Sequence, residues 1–286
     1  MTNTTSIIIP AKNESASLAD LLRQIQAVQP AAEIVVVNDG STDKTLEIAK
    51  ENGATVFSHP YSMGNGAAIK TGARMASGDI LVFMDGDGQH NPDDIARLLG
   101  KLHEGYDMVV GARDTGSQAS IGRLAANQFY NRLASFMVNH SVKDLTSGFR
   151  AVRADKFREF LYLLPNGFSY PTTSTMAFFR AGYTVAYEPI IAAKRGGKSH
   201  IHPIKDGIRF LLIIFKIGSL YSPLKLFVPI SFAFFLIGIV YYLYTFVSIG
   251  RFTNMSALLL STSVIVFLIG LVSEQITQLM YSNRSH

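Results

Sequence analysis

No charged residue occurs between Lys225 and Arg251, and none between Arg251 and Glu274. Each gap exceeds the roughly 20 residues that a helix needs to cross a bilayer, a length that two buried core helices rarely reach. The pattern predicts a transmembrane hairpin with a short loop around Gly250–Ser256. Lys205, Arg209, Lys216 and Lys225 precede the first span and Arg284 follows the second, whereas the loop carries Arg251 alone. The positive-inside rule then puts the globular part and the C-terminus in the cytosol. Pro203–Ser222 differs from both spans. Lys205, Arg209 and Lys216 share one helical face while Ile208, Leu211, Leu212, Ile214 and Phe215 cover much of the rest, as in a helix lying in the membrane interface. A third span is the alternative, and it would have to bury Lys216. Met1–Thr5 is polar and uncharged with no apolar region behind it, so no cleavable leader is expected.

The preceding residues have another character. Ser6–Pro10, Glu33–Asn38, Ala54–Ser58, Asp79–Met84 and Met108–Gly111 read as strands. Ser15–Val28, Asp43–Asn52, Gly66–Ala76 and Pro92–His103 between them have helical spacing. This alternation predicts an α/β domain with a mostly parallel sheet covered on both faces. The division expected is therefore a domain over 1–202, an interfacial helix over 203–222 and a hairpin with a short tail over 223–286. The absence of cysteine removes disulfides and thiolate metal sites and fits a reducing compartment. The net charge of +5 could suggest nucleic acid, but the hydropathy is unevenly distributed, with 203–286 unlike the α/β part, so a membrane lipid partner is expected and no nucleic acid.

Two turns carry the chemistry, "NDGSTD" (38–43) and "DGDGQH" (85–90), and both follow strands. In open α/β sheets ligands bind at the carboxyl ends of strands. Asp87 and Gln89, two positions apart, can direct oxygen atoms at one hard cation, with Asp85 as a further ligand or a neighbour. All-oxygen ligation suits Mg2+ or Mn2+ completed by substrate phosphates; the bland alternative is a solvated acidic turn.

"IIIPAKNE" (7–14), "VVVNDGSTDKT" (35–45), "GNGAAIKTGARMASGDILVFMDGDGQH" (64–90), "GAR" (111–113) and "DLTSGFRAVRAD" (144–155) follow one another in this order. Together they resemble glycosyltransferase family 2, of inverting GT-A fold, and within it the dolichyl- or polyprenyl-phosphate hexosyltransferases. The resemblance covers about residues 6–200. It implies that Pro10, Asn13 and Glu14 border the nucleotide and that Asp39 contacts its base. Asn38 stands where many members have a second Asp, which leaves UDP and GDP both open. It implies that Asp85, Asp87 and Gln89 hold the metal and that Arg113 lies near the acceptor phosphate. Arg123 and Asn127 would clamp the acceptor phosphate, with Arg150 of "SGFR" beside them. "KRGGKSH" (194–200) resembles a donor-diphosphate segment, with Lys194 in place of Arg, Arg195 one residue away, Ser199 retained and His200 in place of Lys.

The acceptor can be argued from chemistry. A sugar hydroxyl needs a general base; related polysaccharide synthases have it as the Asp of "T-E-D" on a helix, and they also carry a separate "Q-x-x-R-W" near the membrane. Here that helix reads "YPTTSTMAFFRAG" (170–182), with no carboxylate, and the chain has no Trp. A phosphate monoester, with a second pKa of about 6, needs positioning more than deprotonation. The expected reaction is transfer of glucose, mannose or an N-acetylhexosamine from a nucleoside-diphosphate sugar to a polyprenyl phosphate, with inversion. Asp144 remains a candidate base; its other role would be to orient Arg150 or Arg123. The alternatives are transfer to a sugar hydroxyl, a nucleotidyltransferase, which "PAKNESAS" (10–17) does not suit, and a sugar-binding or flippase-like module. A homo-oligomer is compatible with all of them.

Overall fold

Three β-branched runs become neighbouring central strands: β1 (Thr5–Ala11), β2 (Glu33–Asn38) and β4 (Ile80–Phe83), with β2 and β4 on opposite sides of β1. Such runs suit strands buried on both faces. Ile7, Ile8 and Ile9 are all fully buried, each contributing about 2 kcal/mol of apolar burial. The computed structural model describes residues 4–113, 121–167, 169–191, 212, 215, 218, 219 and 222–282, excepting the side chains of 121–127 and 280–282. The chain divides into two units, Met1–Ser135 with His140–Ile201, and Phe136–Asn139 with His202–His286.

In the first unit the helices are α1 (Leu18–Val28), α2 (Thr45–Glu51), α3 (Asn65–Met75), α4 (Asp94–His103), α5 (Ile121–Val138, whose last residues belong to the second unit), α6 (Ala154–Arg158) and α7 (Tyr170–Arg180). With β3 (Thr55–Ser58), β5 (Met108–Arg113), β6 (Arg150–Arg153) and β7 (Val185–Ile190), the seven strands run in the order β3-β2-β1-β4-β6-β5-β7. All pairings are parallel except those of β6 with β4 and β5. The sequence reading missed β6 and β7, because "RAVR" is charged at both ends and "VAYEPI" contains Glu188 and Pro189. The expected helix starts at Ser15 and Pro92 move to Leu18 and Asp94. At the first, Ser17 and Leu18 N–H both donate to Glu14 O, forming a turn before the helix.

Chain direction across the sheet reverses around β1, so the turns after β1, β2 and β4 converge at their carboxyl ends. α3 packs directly on β1: a Cβ at Gly72 would lie 2.3 Å from Ile8 Cγ2. That contact brings the start of α3 to the same edge, where Ala67 N–H donates to Asn166 O at 2.9 Å.

In the second unit, α8 (Pro223–Ile249) and α9 (Asn254–Ser282) form a helical hairpin. The two helices approach closely. Ser231 Oγ donates to Ser263 O at 2.9 Å, and a Cβ at Gly270 would lie 2.6 Å from Phe227 Cβ. The outer surface exposes Val240, Tyr244, Val247 and Leu258, as a lipid-facing surface should. Lys225 Nζ donates to Phe136 O, Met137 O and Asn139 Oδ1, satisfying carbonyls at a helix end. The expected interfacial helix over 203–222 lies outside the described residues, save Leu212, Phe215, Gly218, Ser219 and Ser222.

Candidate active site

At the carboxyl ends of the strands lies a cavity of about 430 Å³. Pro10, Lys12 and Glu14 line it after β1, Asp39 after β2, Ser62, Gly64 and Asn65 at the start of α3, and Asp85 and Asp87 after β4. Asp39 is buried with every acceptor position filled. Oδ1 accepts from His59 Nδ1 (2.7 Å) and Met63 N–H (2.8 Å), and Oδ2 from Ser62 Oγ (2.8 Å) and Gly64 N–H (2.9 Å). Burial pushes this carboxyl up, but the four donors outweigh it and hold it below the usual carboxylate range. Gly40 permits the assembly: its φ is +65°, and a Cβ there would meet Ser62 N at 2.6 Å. Asn13 and Asn38 shape the rim instead of lining the cavity. Asn13 Oδ1 accepts from Thr42 N–H at 2.9 Å, and Asn38 Oδ1 accepts from Ser41 N–H at 3.1 Å.

The acidic turn forms the far wall. Asp85 and Asp87 are half-buried, Gln89 N–H donates to Asp87 Oδ1 (3.1 Å), and Ser17 Oγ donates to Gly86 O (2.8 Å). His90 is buried, stacked on Phe149 with centroids 5.0 Å apart, and its Nε2 stands 3.9 Å from Asp85 Oδ2. Burial holds its pKa below the ordinary histidine value against the pull of Asp85 and Asp87. The donors here are oxygens. Among the described residues no three His, Cys, Asp or Glu side chains group as a metal site by themselves; the oxygens present are those of Asp85 and Asp87 with Gln89 between them and His90. That composition fits a hard divalent cation that completes its shell from a bound phosphate.

Beyond Asp85 opens a second pocket of about 130 Å³, lined by Asn65, Asp85, Thr146, Gly148, Ser169 and Tyr170 among others. Gly148 cannot carry a side chain without crowding the acid: a Cβ would lie 3.0 Å from Asp85 Oδ2 and 3.3 Å from the Tyr170 hydroxyl. The Tyr170 hydroxyl donates to Gly148 O at 2.8 Å. Beside this turn, Arg113 Nε and Nη2 donate to Asp144 Oδ2 and Oδ1 at 2.8 and 3.0 Å, and Nη2 also to Thr146 Oγ1 at 2.6 Å. Asp144 accepts further from the N–H groups of Arg113, Thr146 and Ser147. Burial would raise the Asp144 carboxyl, but the Arg113 guanidinium and these donors hold it below the carboxylate range. A carboxylate so engaged is a weak base, and among the described side chains the partner it orients is Arg113, not Arg150.

Arg150 requires a correction. The resemblance made it an acceptor-phosphate residue, yet its side chain is wholly buried and both of its terminal nitrogens donate to protein atoms. It sits in β6, in register with Phe83 and Val110, and so points into the layer beneath α7. The backbone of Arg123 and Asn127 is helical in α5, but their side chains lie outside the described residues, as do Lys194, Arg195, Ser199 and His200 entirely. Sequence reading missed Lys12, Ser62, Asn65 and Tyr170 as lining residues and His59 as the support of Asp39. Ser62 and Asn65 flank the Gly64 of "SMGNG", the signal that could have found them.

The model of Glycosyl transferase family 2 matches residues 6–161, and that of the GtrB C-terminal hairpin matches residues 222–279. A dolichyl-phosphate hexose transferase of Haloferax volcanii is 29% identical over 204 residues, covering 71% of this chain and 88% of that protein. An undecaprenyl-phosphate 4-deoxy-4-formamido-L-arabinose transferase of Salmonella choleraesuis is 33% identical over 158 residues. That match covers 52% of this chain and 48% of that protein, so the chain spans about half the length of this relative. Glucosyl-3-phosphoglycerate synthase from Mycobacterium tuberculosis, solved with Mn2+, uridine diphosphate and glucosyl-3-phosphoglycerate, superposes with a TM-score of 0.58 at 25% identity. The superposition covers 74% of this chain and 80% of that one.

Proposed function

The chain belongs to glycosyl transferase family 2 and has its GT-A fold followed by an apolar helical hairpin; from that premise we propose that it transfers a hexose from a nucleoside-diphosphate sugar to a polyprenyl phosphate, with inversion, at the cytosolic membrane face. The observation that carries this reading is the position of Asp85, which walls both the large cavity and the small pocket. A donor laid with its nucleotide against Pro10, Glu14 and Asp39 and its diphosphate at the acidic turn would carry its sugar into the small pocket.

The acceptor class follows from what the small pocket offers. Its residues from the start of α7 are Ser169, Tyr170 and Pro171, and its one carboxylate among the described residues is Asp85. Asp144, bound to Arg113, supplies no free base. A phosphate acceptor, largely ionised near neutral pH, needs none. The names of the Haloferax and Salmonella relatives, both lipid-phosphate sugar transferases, support the same class.

The chain's residues then have distinct work. Asp85 and Asp87, with Gln89 beside them, would hold Mg2+ or Mn2+, which supplies charge neutralisation for the departing nucleoside diphosphate. Arg113, fixed in orientation by Asp144, presents positive charge to the acceptor phosphate, and a donor already aimed costs little reorganisation in the transition state. Arg123 and Asn127 on α5 position the acceptor phosphate, and Lys194, Arg195 and Ser199 the donor diphosphate. Residues 1–202 form the catalytic domain, 203–222 the interfacial helix and 223–286 the anchor, with the cations around the spans setting the cytosolic orientation.

Purified protein supplied with UDP- or GDP-hexoses should release nucleoside diphosphate only when undecaprenyl or dolichyl phosphate is added, and NMR of the product should show the anomer opposite to the donor's. Release on adding a free glycan, with none on adding lipid phosphate, would transfer the assignment to the sugar-hydroxyl class.

A further inference from the structure

A strand that ends in Asp85 and Asp87 needs a compensating positive charge nearby, because burying carboxylates alone is costly. The metal answers that need only when bound. The structure holds a second answer. Arg150 lies in β6 in register with Phe83, two residues before Asp85, and its side chain is fully buried.

The hydrogen-bond partners of this guanidinium are all neutral. Nη1 donates to Pro171 O (3.1 Å), Ser174 Oγ (2.8 Å) and Thr175 Oγ1 (3.2 Å), and Nη2 donates to Ser147 O. Nε is buried with no partner among the described residues. A buried cation with no carboxylate bound to it is an expensive feature, and packing alone would be served by an apolar side chain. The carboxylates in electrostatic reach are Asp144 and Asp85. Asp144 is already neutralised by its two-point bond to Arg113. Arg113 also acts on Asp85, and the charge of Arg150 adds to it there and at whatever is bound beside that carboxylate.

The surroundings direct that charge. Met108 and the aromatic residues Phe83 and Tyr170 form a wall of low polarity, with the Tyr170 ring centroid 5.6 Å from Arg150 Cζ. On the pocket side Tyr170 and the Ser147–Gly148 turn lie next to the guanidinium, and Tyr170 and Gly148 also line the pocket. Field from a charge with low-dielectric walls is screened weakly and emerges at the open side.

We propose that Arg150 is a positioning residue of the transfer site: a buried cation that touches no substrate but makes the surroundings of Asp85 receptive to the negative charge of a diphosphate bound at the acidic turn. This rests on the donor reading above. A merely structural arginine would tie Ser147 to the start of α7, and its loss would loosen metal and nucleotide sites together. A charge role separates them, since removing a cation favours Mn2+ and disfavours UDP.

The test uses the full chain in detergent, titrated with Mn2+ alone and with UDP in saturating Mn2+, for wild type, Arg150→Gln and Arg150→Lys. Wild-type protein that binds no UDP overturns the donor reading, and this proposal with it. Given wild-type binding, Arg150→Gln should weaken UDP by about tenfold while binding Mn2+ as well as or better than wild type. Arg150→Lys keeps the charge but cannot serve four acceptors, and should hold UDP within about threefold of wild type. Joint loss of Mn2+ and UDP in Arg150→Gln overturns the proposal, as does unchanged UDP binding. So does equal weakening of UDP in the lysine and glutamine variants. If Arg150→Gln does not fold, Arg150→Lys decides alone: near-wild-type UDP affinity supports the charge role, and weakening by about tenfold or more overturns it. Failure of both variants to fold assigns Arg150 to structure and overturns it as well.

Discussion

Asp144 accepts Arg113 Nε and Nη2 on its two separate oxygens, at 2.8 and 3.0 Å, so that one side chain fixes the plane of the other. Asp144→Asn should destabilise the protein by about 2 kcal/mol at pH 7, less than a fully buried pair, because 30% of the Arg113 side chain stays exposed. The pairing also fixes the pH dependence. The folded-state pKa of Asp144 is lowered, so its contribution is complete above the unfolded value of about 3.9 and is lost as pH falls through the folded value. Melting temperatures of wild type and Asp144→Asn should stay apart at neutral pH and converge under acid. A difference that widens on acidification would show that Arg113 does not hold the ionised form.

The acidic turn makes an opposite prediction about stability. Asp87 crowds Asp85 with like charge across a single glycine. Asp87→Ala should abolish transfer, yet leave the melting temperature of the metal-free protein unchanged or slightly raised. Wild-type turnover in excess chelator would sink the metal assignment, whatever the variant does.

Asp39 poses a problem of capacity. Its four acceptor positions are taken by His59, Ser62, Met63 and Gly64, so a nucleotide base that donates to it must displace one of them. The Ser62 hydroxyl is the easiest to rotate away. Ser62→Ala should therefore leave UDP affinity unchanged or tighten it by about threefold, since the competing donor is gone. Asp39→Asn should weaken it. Loss of affinity in Ser62→Ala would mean that Asp39 supports the loop and does not meet the base.

Arg123 is expected to serve the acceptor alone. Arg123→Ala should raise KM for the lipid phosphate and leave the KM of the nucleotide sugar within about twofold, because a paired phosphate loses a charge-assisted bond. The reverse pattern would assign Arg123 to the donor.

What could be read from the sequence follows the range of each interaction. Parallel strands buried on both faces are continuous apolar runs, so SIIIP, EIVVVN and ILVF declared themselves, and with them the order of turns at the cavity. β6 did not, because its first residue is an arginine, which reads as surface unless one knows that Ser147, Pro171, Ser174 and Thr175 surround it. The same limit hid the partner of Asp144. Arg113 lies 31 residues away along the chain, and Arg150 and Arg123 were equally plausible on spacing. His59 carried no motif, and its role appears only once β2 and α3 are brought side by side, with its ring between Asp39 and Thr71.

The hairpin can be tested without reference to activity. The Ser231 and Ser263 hydroxyl oxygens are 3.3 Å apart at the seam of α8 and α9, and a small rotation of both side chains would bring sulfur atoms there to the disulfide length of about 2 Å. The chain contains no cysteine, so any bond formed in a Ser231→Cys, Ser263→Cys double variant is unambiguous. Mild oxidation should give an intramolecular disulfide, seen as a faster, reductant-sensitive band on gels, whereas pairing Ser263→Cys with Val240→Cys on the exposed face should give none. The seam also predicts where bulk is refused. Gly270→Leu would drive a side chain into Phe227, whose Cβ already lies 2.6 Å from where a Cβ at this glycine would stand. Without a hydrophobic force between helices in lipid, close packing is what holds them together. Introducing Gly270→Leu into the double-cysteine protein should therefore abolish the disulfide, and a bond that still forms at the original rate would show that the two helices meet along a different face.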